Sequence, residues 1–468
     1  MRYITLLIVI VASALVRLYA IDVTAGGVEA ALKDSSPETM TSLTLSGTID
    51  ARDIAYIANS MPQLTAIDLS ATSITEYSST DALFANYVTY AANELPPCCF
   101  AGKAYTSVVL PGTLTSIGDG AFTGCTALTQ INIPASVTRI GDFAFASAPA
   151  LTKVTGAAGV QTIGSYAFNR STNLSAVPVT SVKSIGAYAF QGCERLSALT
   201  FGSSVEQIGE GAFKASGLTA ADLSSTRVAT IGAWAFADTE GLITVKLPAT
   251  IESLGDGAFF YSTSLNKVEM PKGLTTINNF VFGNVTNMTE MDPMPESVTH
   301  IGDYAFTDWT DIVEFSIPST VEHIGTGAFR NWKALRYFNS RPAVPPTLGE
   351  TVWEGIDQSA VVLKVDKPSE SLYKAAEQWR DFQVSNTSEV SAIESAVKVT
   401  FSGDVLSASA TEQIESATVY DLSGIVLATK NPAATSVEFN LGAYSAKVYV
   451  LRCALASGKV EFIKFGTK

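Results

Sequence analysis

The stretch Ser116–Pro134 reads SIGDGAFTGCTALTQINIP. Taken alone, its Gly-x-Gly could belong to a phosphate loop and its cysteine to a thiol site. The rest of the chain decides between these, because the stretch recurs. SIGDGAF is followed by RIGDFAF, TIGSYAF, SIGAYAF, QIGEGAF, TIGAWAF, SLGDGAF, TINNFVF, HIGDYAF and HIGTGAF. Their phenylalanines are Phe122, Phe145, Phe168, Phe190, Phe213, Phe236, Phe259, Phe282, Phe306 and Phe329, spaced by 22 to 24 residues. Phe100, in LPPCCF, is a further copy. Each is followed by an apolar run on the L-x-x-[VIL]-x-[ILM] theme, strict in LITVKLP and LNKVEMP and looser in IVEFSIP, often closed by proline.

A fixed period in this range means stacked repeats, in which each coil turns its apolar residues inward onto those of its neighbours. The phenylalanines then form one ring column. Leu128, Ile131 and Ile133 form the strand side of the core, and Leu114 and Ile117 the opposite wall. The glycine after each isoleucine is expected to supply a tight or left-handed corner. Proline after the strand ends the ladder, and the alanine before each phenylalanine stays small where backbones approach. The expected fold is a mostly β repeat solenoid with short strands and short helical or irregular turns.

These I-G-x-x-A-F…L-x-x-[VIL]-x-[IL]-P units closely resemble the BspA-like leucine-rich repeat family of bacterial surface proteins, over roughly Leu95–Asn339. The resemblance implies a leucine-rich repeat fold and an adhesin-like role.

A solenoid must cover the apolar faces of its end coils. Residues 21–94 read as an N-terminal cap with a first irregular repeat, including an amphipathic helix over Asp50–Met61. Tandem repeats occupy 95–341. RPAVPPTLGETVWEG then breaks the pattern, and 342–383 read as a C-terminal cap with Tyr373, Ala376 and Trp379 facing the core. BspA-like chains often close with a similar unit. A polar linker covers 384–396. Residues 397–468 alternate strictly, as in Val437, Phe439 and Leu441, and read as a small all-β, immunoglobulin-like sandwich. VYDLSG at Val419–Gly424, VYVLR at Val448–Arg452 and the final FIKFGTK resemble the sorting domain of type IX secretion, although Lys447 stands where that family usually has glycine.

Residues 1–20 have Arg2, an apolar run over Ile4–Val16 and a terminal Ala20, the layout of a secretory signal peptide. No membrane-spanning segment is expected after cleavage, and the mature protein is expected to be secreted or on the outer cell surface. Apolar residues make up 47%, charged residues 16%, and the net charge is −14. An acidic chain repels phosphate backbones, so nucleic acid is not expected as a partner.

Little in the sequence points to catalysis. The Gly-x-Gly pieces lack the third glycine and the strand-to-helix context of a dinucleotide site, and neither G-x-S-x-G nor H-E-x-x-H occurs. Five cysteines, Cys98, Cys99, Cys125, Cys193 and Cys453, give no disulfide framework. Cys125 and Cys193 share a column three coils apart, ~14 Å, and read as buried fillers; Cys98 and Cys99 also read as buried thiols. His300 and His323 should stack at ~5 Å. With no third ligand beyond Glu322, they read as a surface pair rather than a metal site. No cofactor and no metal are expected.

The outward strand positions carry the functional signal. The middle coils show small residues, while Lys246, Lys267, Glu269, Glu290, Asp292, Glu314 and Tyr337 place charge of both signs on the later ones. Lys246 beside Glu269 and Lys267 beside Glu290 suggest cross-strand pairs. This face is either a solvated surface or a ligand-binding one. Residues before Ala-Phe alternate large rings with glycine, from Gly120 and Phe143 to Tyr304 and Gly327. Rings that cover neighbouring glycines explain this by packing; an exposed ladder for glycan or protein, extended by Trp309 and Trp332, is the alternative. The reading is a non-enzymatic binding protein whose partners are host or bacterial surface proteins. A glycan-binding component of a polysaccharide system and a structural spacer are the alternatives.

Overall fold

The computed structural model describes residues 20–288, 291, 293–386, 397–402, 404–421, 426–442, 448–457 and 460–466. The segment read as a signal peptide apart from Ala20, most of the linker, the Leu422–Gly424 part of VYDLSG, and Lys447 lie outside these residues, as do the candidate residues Glu290 and Asp292. The chain divides into one compact unit ending at Val384 and a second beginning at Ser385.

The first unit is a leucine-rich solenoid of ~23-residue coils, as its period requires. It begins with parallel strands Ile21–Val23, Ser42–Ile49, Ala66–Ile74 and Ser107–Val109, paired in that order. Helix Ala51–Ser60 lies between two of them. Asp50 accepts from the Arg52 N–H and the Asp53 carboxylate reaches back to the Asp50 N–H, so two of the helix's orphan donors are satisfied. Ile54 and Ile57 bury the apolar face. A small hairpin, Tyr77–Ser78 with Thr89–Tyr90, is inserted before the regular array. Its alternation is too short to be read from the sequence.

Each regular coil has three walls. The first is the long strand of L-x-x-V-x-I, such as Gln130–Ile133. The second is the short strand ending in isoleucine or leucine. Eight of these pair in one parallel sheet from Glu94–Leu95 to Ser253–Leu254, and four more from Thr276–Ile277 to Thr347–Leu348. The third is the turn around each phenylalanine, which carries its own ladder. Gly120, Phe122 and Gly124 donate N–H groups to Asp142, Ala144 and Ala146 of the next coil at 2.7–2.8 Å.

The phenylalanine column lies at the centre. From Phe122 to Phe329, neighbouring ring centroids are 5.1 to 5.9 Å apart. All these rings are buried. Trp353 continues the column, 5.1 Å from Phe329, and Thr347–Leu348 continues the short ladder. Residues 342–355, expected to break the pattern, therefore form another coil; their prolines all precede the short strand, where no ladder N–H is lost. Tyr373 and Trp379 then close the end. Tyr373 bonds Ser340 at 2.7 Å, and the Trp379 indole donates to the Pro346 carbonyl at 3.1 Å.

The glycine after isoleucine is not a left-handed corner. Gly118, Gly141, Gly164, Gly186 and Gly232 have no positive φ; instead a Cβ on any of them would lie 2.3 to 2.5 Å from a neighbouring coil's atoms. The glycine is required by close approach. The left-handed corners fall elsewhere, at two columns four residues apart. Gly120, Phe143, Tyr166, Tyr188, Gly211, Trp234, Gly257, Phe280, Tyr304 and Gly327 all have φ between 52° and 66°. Their partners four residues on are left-handed too, including Ser147, Arg170, Ala215 and Asp238, at 53° to 58°. Side chains there cost about 1 kcal/mol each, offset by the inter-coil bonds these turns make.

In the second unit, six strands form one antiparallel sheet. The 17-residue strand Val405–Asp421 is the spine of this sheet. Its first half pairs with Val397–Ser402 and Ala434–Asn440, its second with Val426–Lys430 and Val448–Leu455. Leu406, Val419, Phe439, Tyr449 and Leu451 fill the core. Among the described residues, no helix is long and apolar enough to cross a membrane.

Candidate functional site

Strand alternation sends Leu242, Val245 and Leu247 into the core and Thr244 and Lys246 to solvent. Parallel register then stacks outward residues from successive coils. Asp222, Lys246 and Glu269 lie in one row, and Ala220, Thr244 and Lys267 in the next. Lys246 Nζ is 3.3 Å from Asp222 and Lys267 Nζ 3.8 Å from Glu269. The expected Lys246–Glu269 pair does not form, because Lys246 has an acid on each side in register and takes Asp222, while Glu269 is held by Lys267 of its own strand. Asp222 is the better partner because it is fixed: the Ser224 hydroxyl donates to it at 2.6 Å and the Ser224 N–H at 3.1 Å. These bonds and Lys246 hold its carboxyl below the usual range. The pair is thus intact above that range and is lost only as pH falls through the lowered value. Lys267 was expected beside Glu290, which lies outside the described residues.

Glu314 and Tyr337 belong to a second cluster, on the sheet of Glu314–Ile317, Tyr337–Ser340 and Val362–Val365. Glu314 accepts from Asn339 at 2.9 Å and from Lys364 at 3.2 Å, and the Lys364 ammonium sits 4.6 Å from the Tyr337 ring centroid. Lys364 is absent from the sequence-based site because it lies in the segment read as a cap; the alternation of VVLKV was the available signal. The first cluster is exposed; in the second Glu314 is exposed while Tyr337, Asn339 and Lys364 are half-buried, and in both the charged side chains are held by ion pairs.

The alternating ring column follows the packing explanation. Phe143 and Tyr166 stack at 4.7 Å with planes 3° apart, Tyr166 and Tyr188 at 5.1 Å, and Phe280 and Tyr304 at 5.2 Å. Each ring ending a run lies over the next coil's glycine. A Cβ on Gly211, Gly257 or Gly327 would come within 2.3 to 2.5 Å of Tyr188, Trp234 or Tyr304. Within a run the rings cover one another's faces, whereas Phe143, at the head of its run, is 47% exposed, and Trp234 meets its ring neighbours edge-on or tilted.

Trp309 and Trp332 do not extend this column outward. Both are fully buried and stack on each other at 5.8 Å. They stand three residues after phenylalanine, the column that also holds Cys125, Ser171, Cys193, Thr239 and Ser262. This column is more than filler. Trp309 Nε1 donates to the Phe282 carbonyl at 2.8 Å, Trp332 Nε1 to Phe306 at 2.6 Å, and Ser171 to Phe145 at 2.7 Å. The thiols of Cys125 and Cys193 make the same bond to Phe100 and Phe168, at 3.1 and 3.2 Å. In these coils the residue gives a buried carbonyl its donor; in others Ala148 and Val285 fill the same column without one, and the Ser216 hydroxyl has no partner among the described residues. Burial pushes the Cys125 thiol up to about 11 and Cys193 to about 12, so neither is a thiolate nucleophile at neutral pH. All five cysteines are free. Cys99 is buried, but Cys98 is exposed because it stands in the left-handed corner column, with φ 56°. His300 and His323 lie in register with ring centroids 6.1 Å apart, and each imidazole bonds a threonine, Thr299 or Thr347.

Residues 93–220 and 212–336 match the model of the BspA type leucine rich repeat region. No curated protein matches the sequence. Among solved structures, a leucine-rich repeat protein from Bacteroides ovatus is similar at 22% identity, covering 74% of this chain and 87% of its own, with a TM-score of 0.54. A leucine rich cell surface protein from Faecalibacterium prausnitzii is similar at 24% identity, covering 56% of this chain and 87% of its own, with a TM-score of 0.33. The first of these shares the fold.

Proposed function

This chain belongs to the BspA-type leucine-rich repeat family, and from that premise we propose that it is a non-enzymatic binding protein of the bacterial outer surface, which holds host or bacterial surface proteins on its outward strand face. The observation that carries this reading is the pair of mixed-charge clusters, Asp222–Lys246–Lys267–Glu269 and Glu314–Tyr337–Asn339–Lys364. Such a face selects partners by charge pattern and steers their approach. Glu290 and Asp292 belong to the same proposed surface by sequence position. The stacking of Phe143, Tyr166 and Tyr188 and of Phe280 and Tyr304 breaks the column into short runs and weighs against a continuous glycan platform there, and the clustering of charge on particular coils weighs against a plain spacer.

An array of matrix proteins, bacterial surface proteins and glycans, probed with the full chain, tests the proposal. A protein partner is expected whose affinity falls about tenfold in the double variant Lys246→Glu, Lys267→Glu and falls further with salt. Capture of glycans alone, or a partner indifferent to both reversals, sinks it.

We also propose that the second unit is a sorting module of the type IX kind, on the strength of VYDLSG, VYVLR and FIKFGTK. Deleting Val397–Lys468 is then expected to abolish surface display in the producing cell. Normal display of the shortened chain rules this reading out.

A further inference from the structure

The ladder of long strands is interrupted. Lys153–Gly156 pairs with Gln130–Ile133, and Ala220–Asp222 pairs with Thr244–Lys246. The two coils between them, over 175–180 and 197–202, retain a single bridge, Lys153 with Ala176. Their other walls are intact. The short strands pair without a break from Thr162–Ile163 to Thr230–Ile231. On the turn side, Phe168 donates to Ala189 at 2.8 Å and Phe190 to Ala212 at 2.7 Å. These coils are therefore held at β spacing on two sides and open on the third. Two sequence features account for the opening. The step from Phe168 to Phe190 is 22 residues, one short of the usual period, and Pro178 has no N–H to give to a ladder.

The opening is a concavity of about 420 Å³ on the strand face. Ala176, Pro178, Ala198 and Thr200 line it with short side chains, so its main chain is reachable. Among the described residues, the N–H groups of Val177, Leu199 and Thr200 and the carbonyls of Pro178 and Ala198 have no protein partner. Lys153, exposed at one side, is the one charged residue of the lining.

We propose that this gap binds an extended peptide segment bearing a carboxylate. The segment's main chain supplies the groups that the missing ladder would have supplied, and its acid meets Lys153. Free N–H and C=O groups along a strand direction repeat at ~3.3 Å per residue, the spacing of another extended chain, and strand addition draws its affinity from such bonds. The lone lysine gives the acid by charge complementarity. The lining has no aromatic face for a sugar to stack on. This site lies on coils other than those of the two charged clusters and does not depend on their role.

The test uses the full chain and two fluorescent blocked hexapeptides, Thr-Val-Thr-Val-Glu-Val and its glutamine counterpart. The glutamate probe is expected to bind more tightly. Ala198→Trp, a filling change at an exposed position, should weaken both probes by about tenfold, and Lys153→Gln should bring the glutamate probe down to the glutamine one. Amide exchange at Val177, Leu199 and Thr200 should be fast in the free chain and slow with either probe, while Gln130–Ile133 stays protected throughout. Charge reversal at Lys246 and Lys267 should leave probe binding unchanged. The proposal is overturned if neither probe binds, if Ala198→Trp binds as the parent does, if the gap amides are already protected, or if a cellotetraose probe binds where the peptides do not.

Discussion

Gly232→Val is expected to destabilise the solenoid by about 3 kcal/mol. Gly232 follows Ile231, at a backbone conformation open to other residues, so the cost is not one of φ. A Cβ there would lie 2.4 Å from the Gly209 carbonyl carbon and 2.5 Å from the Glu210 nitrogen. Neither coil can withdraw. The Gly232 N–H is bonded to the Ile208 carbonyl at 3.0 Å, and Gly211 donates to the Ala233 carbonyl at 2.8 Å, on either side of the contact. Insertion of a side chain must therefore break ladder bonds on two walls. Gly241 is the control, since a Cβ there meets nothing closer than the Leu218 carbonyl at 3.7 Å. Urea unfolding of the two variants and the parent measures the difference. Equal midpoints for Gly232→Val and the parent would show that the coils are not in contact as described.

Phe213→Ala is expected to cost about 3–5 kcal/mol, by lost transfer energy and the cavity left behind. Phe213 is fully buried. It stacks on Phe190 at 5.4 Å and on Phe236 at 5.2 Å, and Phe201 meets it edge-on at 5.7 Å. Those neighbours are held by their own inter-coil bonds, so they cannot collapse into the space. Because each coil contacts only its neighbours, the loss also weakens coupling between the two halves of the array. The variant should unfold in urea at a lower midpoint and with a broader transition, and amide exchange should rise first around 190–236. Phe213→Leu keeps much of the volume and should lose less. A Phe213→Ala chain as stable as the parent, with unchanged exchange, would mean that the ring column does not carry the core.

The repeat was legible because its signals are periodic and additive. Ten copies of one unit, eight of them strictly Ile-Gly-x-x-Ala-Phe, fix which residues face inward whatever happens in any one coil, and the Phe column and the strand faces follow from that. The outward positions of Lys246, Lys267, Glu269, Glu314 and Tyr337 followed from strand alternation alone.

What remained beyond the sequence depends on distances between coils, not on the pattern within one. Whether a glycine is needed for φ or for clearance looks the same in letters; stacking alone shows that Gly118 serves clearance while Gly120 and Phe143 share a left-handed corner. Lys246 had two acids in register, and the bonds of Ser224 to Asp222 decided between them. Trp309 and Trp332 look like surface rings until the carbonyls of Phe282 and Phe306 are placed beside their indoles. The gap at Pro178 arises because one coil is short while its neighbours keep their spacing. The sequence determined the period and the inward columns, since burial of repeated apolar residues leaves one arrangement. The tertiary structure decided the polar partners and the opening, since those depend on ångström-scale contacts across coils about 23 residues apart in the chain.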